Sequence, residues 1–143
     1  MSAELQAVLA ANAAFYAAFE AADFDAMAGL WAQDEGVVCV HPGAEPLRGH
    51  GLVLRSWLAL MANAPYIQFF LTNVEAAVSD DLASVSCTEN VLSAGADTPV
   101  SVFAGASAVA TNVFRRSSDG WRLWVHHASP VLSVAQVDED DAE

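Results

Sequence analysis

The chain has 143 residues, enough for one domain with its own core, and 55% of them are hydrophobic. It carries 18 acids against five arginines and no lysine, for a net charge of −13, so a phosphate backbone or an anionic membrane surface would be repelled. No run approaches the ~18 apolar residues of a membrane span, and the N-terminus lacks the basic region of a signal peptide. Two cysteines, Cys39 and Cys87, are too few for a disulfide scaffold and match no zinc spacing. The expectation is a cytoplasmic protein with no nucleic-acid and no membrane partner.

Leu5, Val8, Leu9, Phe15, Tyr16 and Phe19 recur at helical spacing and predict a helix over 3–22, with Asn12 the polar member of its apolar face. Asp23 is placed to cap a second helix that turns Phe24, Met27, Leu30 and Trp31 inward and ends near Ala32. Residues 37–41 form a short β-branched run stopped by Pro42-Gly43. Leu54, Trp57, Leu58 and Met61 predict a third helix over 51–63, closed by Pro65. The rest reads as four long antiparallel strands, 66–78, 82–93, 100–116 and 121–129. They are joined by turns at Asp80-Asp81, at residues 95–99 and at Ser118-Asp119-Gly120. Alternation changes phase near Thr72–Val74, which predicts a bulge. Helices and strands are segregated, so the fold class is α+β: three N-terminal helices on one face of a curved antiparallel sheet, cone-shaped, with a cavity between the layers. The domain is expected over 1–132, with an acidic, disordered tail over 133–143.

Several short motifs carry a resemblance. They are the stretch from Phe15 to Asp25, Leu30-Trp31-Ala32-Gln33-Asp34, His41-Pro42-Gly43, the run Thr111 to Arg115, and the run Trp121 to Ser129. Together they resemble the nuclear transport factor 2-like superfamily, in particular its SnoaL-like branch, over nearly the whole chain. The resemblance implies a cystatin-like α+β roll. The superfamily holds isomerases, dehydratases, polyketide cyclases, epoxide hydrolases and plain association domains, so the fold does not settle the function. In the similar ketosteroid isomerases the position before the proline holds the general base, here His41. The position of Asn112 holds an acid that donates to the enolate oxygen. The oxyanion tyrosine aligns with Phe15, one residue from Tyr16, and one residue turns a helical side chain by about 100°.

His41 is therefore the candidate base, Asn112 the candidate oxyanion donor, and His127 a second acid or orienter. Counting along the last strand from its turn puts Trp121, Leu123, Val125 and His127 inward and Arg122, Trp124 and His126 outward. Asn12, Tyr16, Trp31, Trp57, Asn90 and Phe114 are candidate ligand-binding residues, although Tyr16, Trp31 and Trp57 read equally as core. One of Glu89 and Asn90 faces in. Hairpin alignment favours Asn90; a buried Glu89 would have a raised pKa and would be a rival acid–base group. Adjacent histidines on a strand face opposite ways, so no metal site is expected, and no cofactor motif is present. Apolar bulk on the outer sheet face, around Trp124 and His126, suggests a homodimer. Three functions are compatible with this pattern: a cofactor-free enzyme on a small hydrophobic carbonyl compound, a non-catalytic small-molecule binder, and a dimeric association domain.

Overall fold

A computed structural model describes residues 2–63, 66–94 and 104–131. The expected turn at 95–99, the first residues of the long strand and the acidic tail lie outside the described residues. Helix α1 (Ala3–Glu20) is capped by Ser2, whose Oγ accepts from the Leu5 amide at 3.1 Å. It stops two residues short of the expected end because Ala22 adopts a positive φ of 55°. Helix α2 (Phe24–Leu30) begins where Asp23 Oδ1 accepts from the Ala26 amide at 3.1 Å. Trp31 then turns extended and bridges Leu123 in parallel.

Strand β1 (Val38–Val40) is followed by a two-residue strand, β2 (Leu47–Arg48), and by α3 (His50–Asn63). Gly49 joins β2 to α3 with a φ of +93°, and a Cβ there would meet the Glu35 carboxylate at 2.7 Å. Four long strands complete the chain: β3 (Tyr66–Ser79), β4 (Leu82–Ala94), β5 (Ala104–Ser117) and β6 (Gly120–Pro130). The sheet order is β2-β1-β6-β5-β4-β3. The long strands are antiparallel, as the alternation implies. Sequence pattern did not anticipate β2, nor the parallel pairing of β1 with β6, which sets Val40 beside His127.

Two bulges shape the sheet. The expected one lies between Thr72 and Glu75, where Asn73 takes a φ of 53°. The second was not foreseen. Phe114 pairs with Leu123 and Val113 with Val125, so Trp124 is the extra residue. That insertion reverses the alternation of everything after it. His126 and Ala128 turn inward and are buried, while His127 turns out to solvent. The inward His127 and outward His126 read from the sequence are thus exchanged. A dimer contact built on His126 is excluded by its burial. Trp124 stays on the outer face, half-buried, with the Arg115 guanidinium 5.0 Å from its ring centroid.

The core lies between the helices and the inner sheet face. Phe15 is its hub: its ring meets Trp57 at 5.2 Å, Trp31 at 6.4 Å and His126 at 5.0 Å, tying α1 to α3, to the end of α2 and to β6. Phe114 and Leu123, paired across β5 and β6, are fully buried beneath it. Trp31 and Phe114 are therefore core residues and do not line the cavity. Truncating Phe114 to alanine is expected to cost about 3–5 kcal/mol, read from the urea midpoint at unchanged slope.

Candidate active site

The cavity between α1, α3 and the inner sheet face has a volume of about 450 Å³. Phe15, Tyr16, Phe19, Trp57 and Phe69 give it aromatic walls. Phe19 and Trp57 meet at 5.2 Å, and Tyr16 and Phe69 at 5.0 Å, so the walls brace one another. Leu60, Ile67, Val91 and Ala108 continue the apolar lining. Three ionisable side chains besides Tyr16 reach it: His41 from the end of β1, Glu89 from β4 and His126 from β6. A second hollow, of about 500 Å³, lies beside the start of α1. Its cation, Arg116, is already taken by Glu4 and Asp81, and a third hollow, also about 500 Å³, has an alanine-rich lining whose one ionisable residue is Asp23, the α2 cap, so the interior cavity is the candidate site.

Glu89 owes its place to a clean alternation. Ala83, Val85 and Cys87 face in, and Ser84, Ser86 and Thr88 face out, so Glu89 follows inward and is buried. Asn90 consequently faces out, where its amide donates to the Phe70 carbonyl at 2.8 Å and accepts from Ser107 Oγ at 3.0 Å. The alternation of this strand outweighs the hairpin alignment that favoured Asn90. The Tyr16 hydroxyl donates to Glu89 Oε2 at 2.6 Å. Burial raises the Glu89 pKa, opposed by that hydrogen bond. Burial and the neighbouring Glu89 charge likewise push the Tyr16 phenol far above its ordinary range.

Asn112, at the centre of β5, is fully buried behind the cavity wall. Its Nδ2 donates to Asn12 Oδ1 at 2.8 Å and to the Tyr16 hydroxyl at 3.2 Å. Both of its protons are therefore committed, and it has none to offer an oxyanion. Its Oδ1 lies 2.6 Å from His126 Nδ1. A carbonyl oxygen can only accept, so His126 carries its proton on Nδ1 and presents the Nε2 lone pair. Burial, with His41 and His127 nearby, lowers the His126 pKa from 6.5 to about 3, so the ring is neutral near pH 7. Asn12 thus sits in the network and not in the lining.

His41 is oriented by a separate contact. Ser56 Oγ gives its one proton to the Val53 carbonyl at 2.7 Å, so it accepts from His41 Nε2 at 3.0 Å. That leaves the lone pair on His41 Nδ1, with the Cys39 thiol 4.0 Å away. Burial lowers the His41 pKa. The ring stacks edge-on against Trp57 at 4.7 Å, and Trp57 in turn meets His126 at 5.6 Å. Cys39 and Cys87 are buried free thiols; burial pushes Cys39 up to about 12 and also raises Cys87. Among the described residues no three His, Cys, Asp or Glu side chains group to hold a metal ion, and no helix is long and apolar enough to cross a membrane.

Of the residues singled out from sequence, His41, Tyr16 and Trp57 line the cavity, with Asn112 and Asn12 directly behind it. His127 and Asn90 lie on the opposite sheet face. His126 was assigned to the wrong face, although Ala128 followed by Ser129 already fits an inward His126.

Residues 8–133 match the SnoaL-like domain. The chain belongs to the SnoaL-like family. A proposed dehydratase of the NTF2-like family from Streptomyces avermitilis is 49% identical, with a TM-score of 0.85 over 91% of this chain and 97% of that one. A proposed calcium/calmodulin-dependent protein kinase type II association domain from Thiobacillus denitrificans is 38% identical, with a TM-score of 0.74 over 86% and 94%. The F-box protein SKIP8 of Arabidopsis thaliana is 25% identical over 91% of this chain, which spans only 52% of that relative's length.

The buried groups make stability depend on pH in two opposed ways. The unfolded chain protonates His126 first, so stability falls as pH drops from 6.5 towards 3. Burial raises the Glu89 pKa in the fold, so the stability tied to its protonated form is lost as pH rises past the ordinary carboxylate range. Urea denaturation across pH is expected to show Glu89→Gln flattening the alkaline limb relative to wild type while leaving the acid limb. Ring-nitrogen NMR is expected to report the Nδ1–H tautomer for His126.

Proposed function

We propose that this SnoaL-like protein is an acid–base enzyme that dehydrates a small hydroxy-carbonyl compound in the concave cavity, drawing on side chains alone. The observation that carries the reading is one apolar cavity lined by Glu89, whose carboxyl pKa burial raises, and by His41 and His126, whose pKa values burial lowers. An acid and a base facing one substrate can remove a proton and supply another in the same event.

In this reading His41 Nδ1 takes the proton from the carbon beside the carbonyl. Glu89 gives its proton to the leaving hydroxyl, the C–O bond breaks, and water departs as the C=C bond forms. The proton on His41 returns to the Glu89 carboxylate through solvent at the mouth. A pKa near 3 makes His126 a poor proton carrier, so its Nε2 is assigned to accept from a second substrate hydroxyl. Tyr16 holds Glu89 in place through the 2.6 Å hydrogen bond. The proposed dehydratase activity of the Streptomyces avermitilis relative supports elimination over isomerisation. A binder without chemistry would fill the same cavity and return its ligand unaltered.

His41→Ala and Glu89→Gln are each expected to lower kcat by about 10²–10⁴-fold with a smaller effect on KM. Turnover of cyclic β-hydroxy ketones is followed by loss of water in the product mass. Unchanged kcat in both variants sinks the assignment.

A second reading concerns assembly and is compatible with the first. The outer sheet face exposes Phe70 and Val109, 49% and 48% accessible, which favours a homodimer through that face. The proposed association-domain activity of the Thiobacillus denitrificans relative points the same way. Sedimentation velocity is expected to give a dimer at micromolar concentration and a monomer for Phe70→Lys/Val109→Lys. A monomeric wild type overturns this reading.

A further inference from the structure

We infer that the cavity selects an uncharged, hydroxyl-bearing ring compound and rejects the same skeleton as an anion. The inference deepens the dehydration reading by naming the charge and hydrogen-bonding character of its substrate.

An anion entering the cavity would meet no cation. The chain has no lysine, and none of its five arginines lines the cavity. Arg115 is paired with Asp34, Arg116 with Glu4 and Asp81, and Arg122 lies 3.7 Å from Asp119. Arg48 and Arg55 are exposed on β2 and α3. The acid that does line the cavity, Glu89, becomes a repelling charge whenever it ionises. Moving a carboxylate or phosphate into such a space costs several kcal/mol without a partner.

Apart from Trp57 Nε1 and the proton that Glu89 supplies in the proposed reaction, most donors among the described residues around the cavity are spent as well. The Tyr16 hydroxyl proton goes to Glu89, both Asn112 amide protons go to Asn12 and Tyr16, and the Ser107 hydroxyl goes to Asn90. The His41 Nε2 proton goes to Ser56, and the His126 Nδ1 proton goes to Asn112. The two imidazoles therefore offer lone pairs. A ligand that brings its own O–H groups satisfies them, and one that brings only acceptors leaves them bare in an aromatic-walled space.

The test is calorimetric titration of the intact chain at about pH 8, where the probe acid is ionised. The probes are hydroxynaphthoic acid, its methyl ester, and the methyl ester of the methoxy analogue. None has a hydroxyl that can leave, so recognition is read apart from turnover. The hydroxy ester is expected to bind about a hundredfold more tightly than the carboxylate, and methylating its hydroxyl to weaken it about tenfold. Ala108→Phe, or Val91→Phe nearer the mouth, is expected to abolish ester binding by filling the cavity. The inference is overturned if the carboxylate binds as well as the ester, if the methoxy ester matches the hydroxy ester, or if no probe binds. Ester binding that survives in both filled variants, each checked for folding by circular dichroism, also overturns it. The expected order without turnover of any hydroxy ketone would leave this inference standing and remove the dehydration reading.

Discussion

Asn112 has one amide and three partners, and it is fully buried. Its nitrogen gives two protons and its oxygen takes one. Turned the other way, its oxygen would confront Asn12 Oδ1 and its nitrogen a protonated His126 Nδ1. Leaving such groups unmet when buried costs about 1–3 kcal/mol each, so the Asn112 orientation and the His126 tautomer go together. The direction of every bond in the network follows from them. Tyr16 must accept on one side and donate on the other, to Glu89. His126 must hold its proton on the far side of the ring from the cavity. A residue that touches no ligand thereby decides which atoms of the lining are donors and which are acceptors.

The same layer explains how one apolar cavity holds a carboxyl and two imidazoles. Burial acts on carboxyl and imidazole in opposite senses, since each resists its own charged form. One aromatic enclosure therefore raises the pKa of Glu89 and lowers those of His41 and His126 together. The remaining charge of the protein is kept elsewhere. Arg115 is paired with Asp34, and Arg116 with Glu4 and Asp81, none of them in the cavity lining.

Most of the fold was legible because its signals are local. Periodicity gave all three helices and the four long strands, and Asp23 marked the start of α2. The bulge at Asn73 showed in the slip of alternation. The parallel contact of β1 with β6 was not legible, since three residues of β1 carry no partner signal and the pairing crosses most of the chain. The site was legible in part. His41 and Asn112 were marked by their places in the motifs that resemble the ketosteroid isomerases. The bulge at Trp124 left no break in hydrophobicity, because Leu123, Trp124 and Val125 are all apolar. Counting through them carried the wrong phase to His126 and His127. Glu89 was within reach: six residues of apolar and polar alternation before it fix its face without reference to any neighbour strand.

The pairing of β1 with β6 has a consequence for how the molecule comes into being. His41 belongs to the first third of the chain and His126 to its last strand, yet they sit across one tryptophan from each other. A growing polypeptide would carry the exposed faces of Phe15, Phe19 and Trp57 for nearly the whole of its synthesis before β6 arrives to cover them. Such a trough is open to sticking to its neighbours. It also means that a prematurely terminated copy would lack a complete cavity, because His126 and Pro130 join its lining only when the last strand has been laid down.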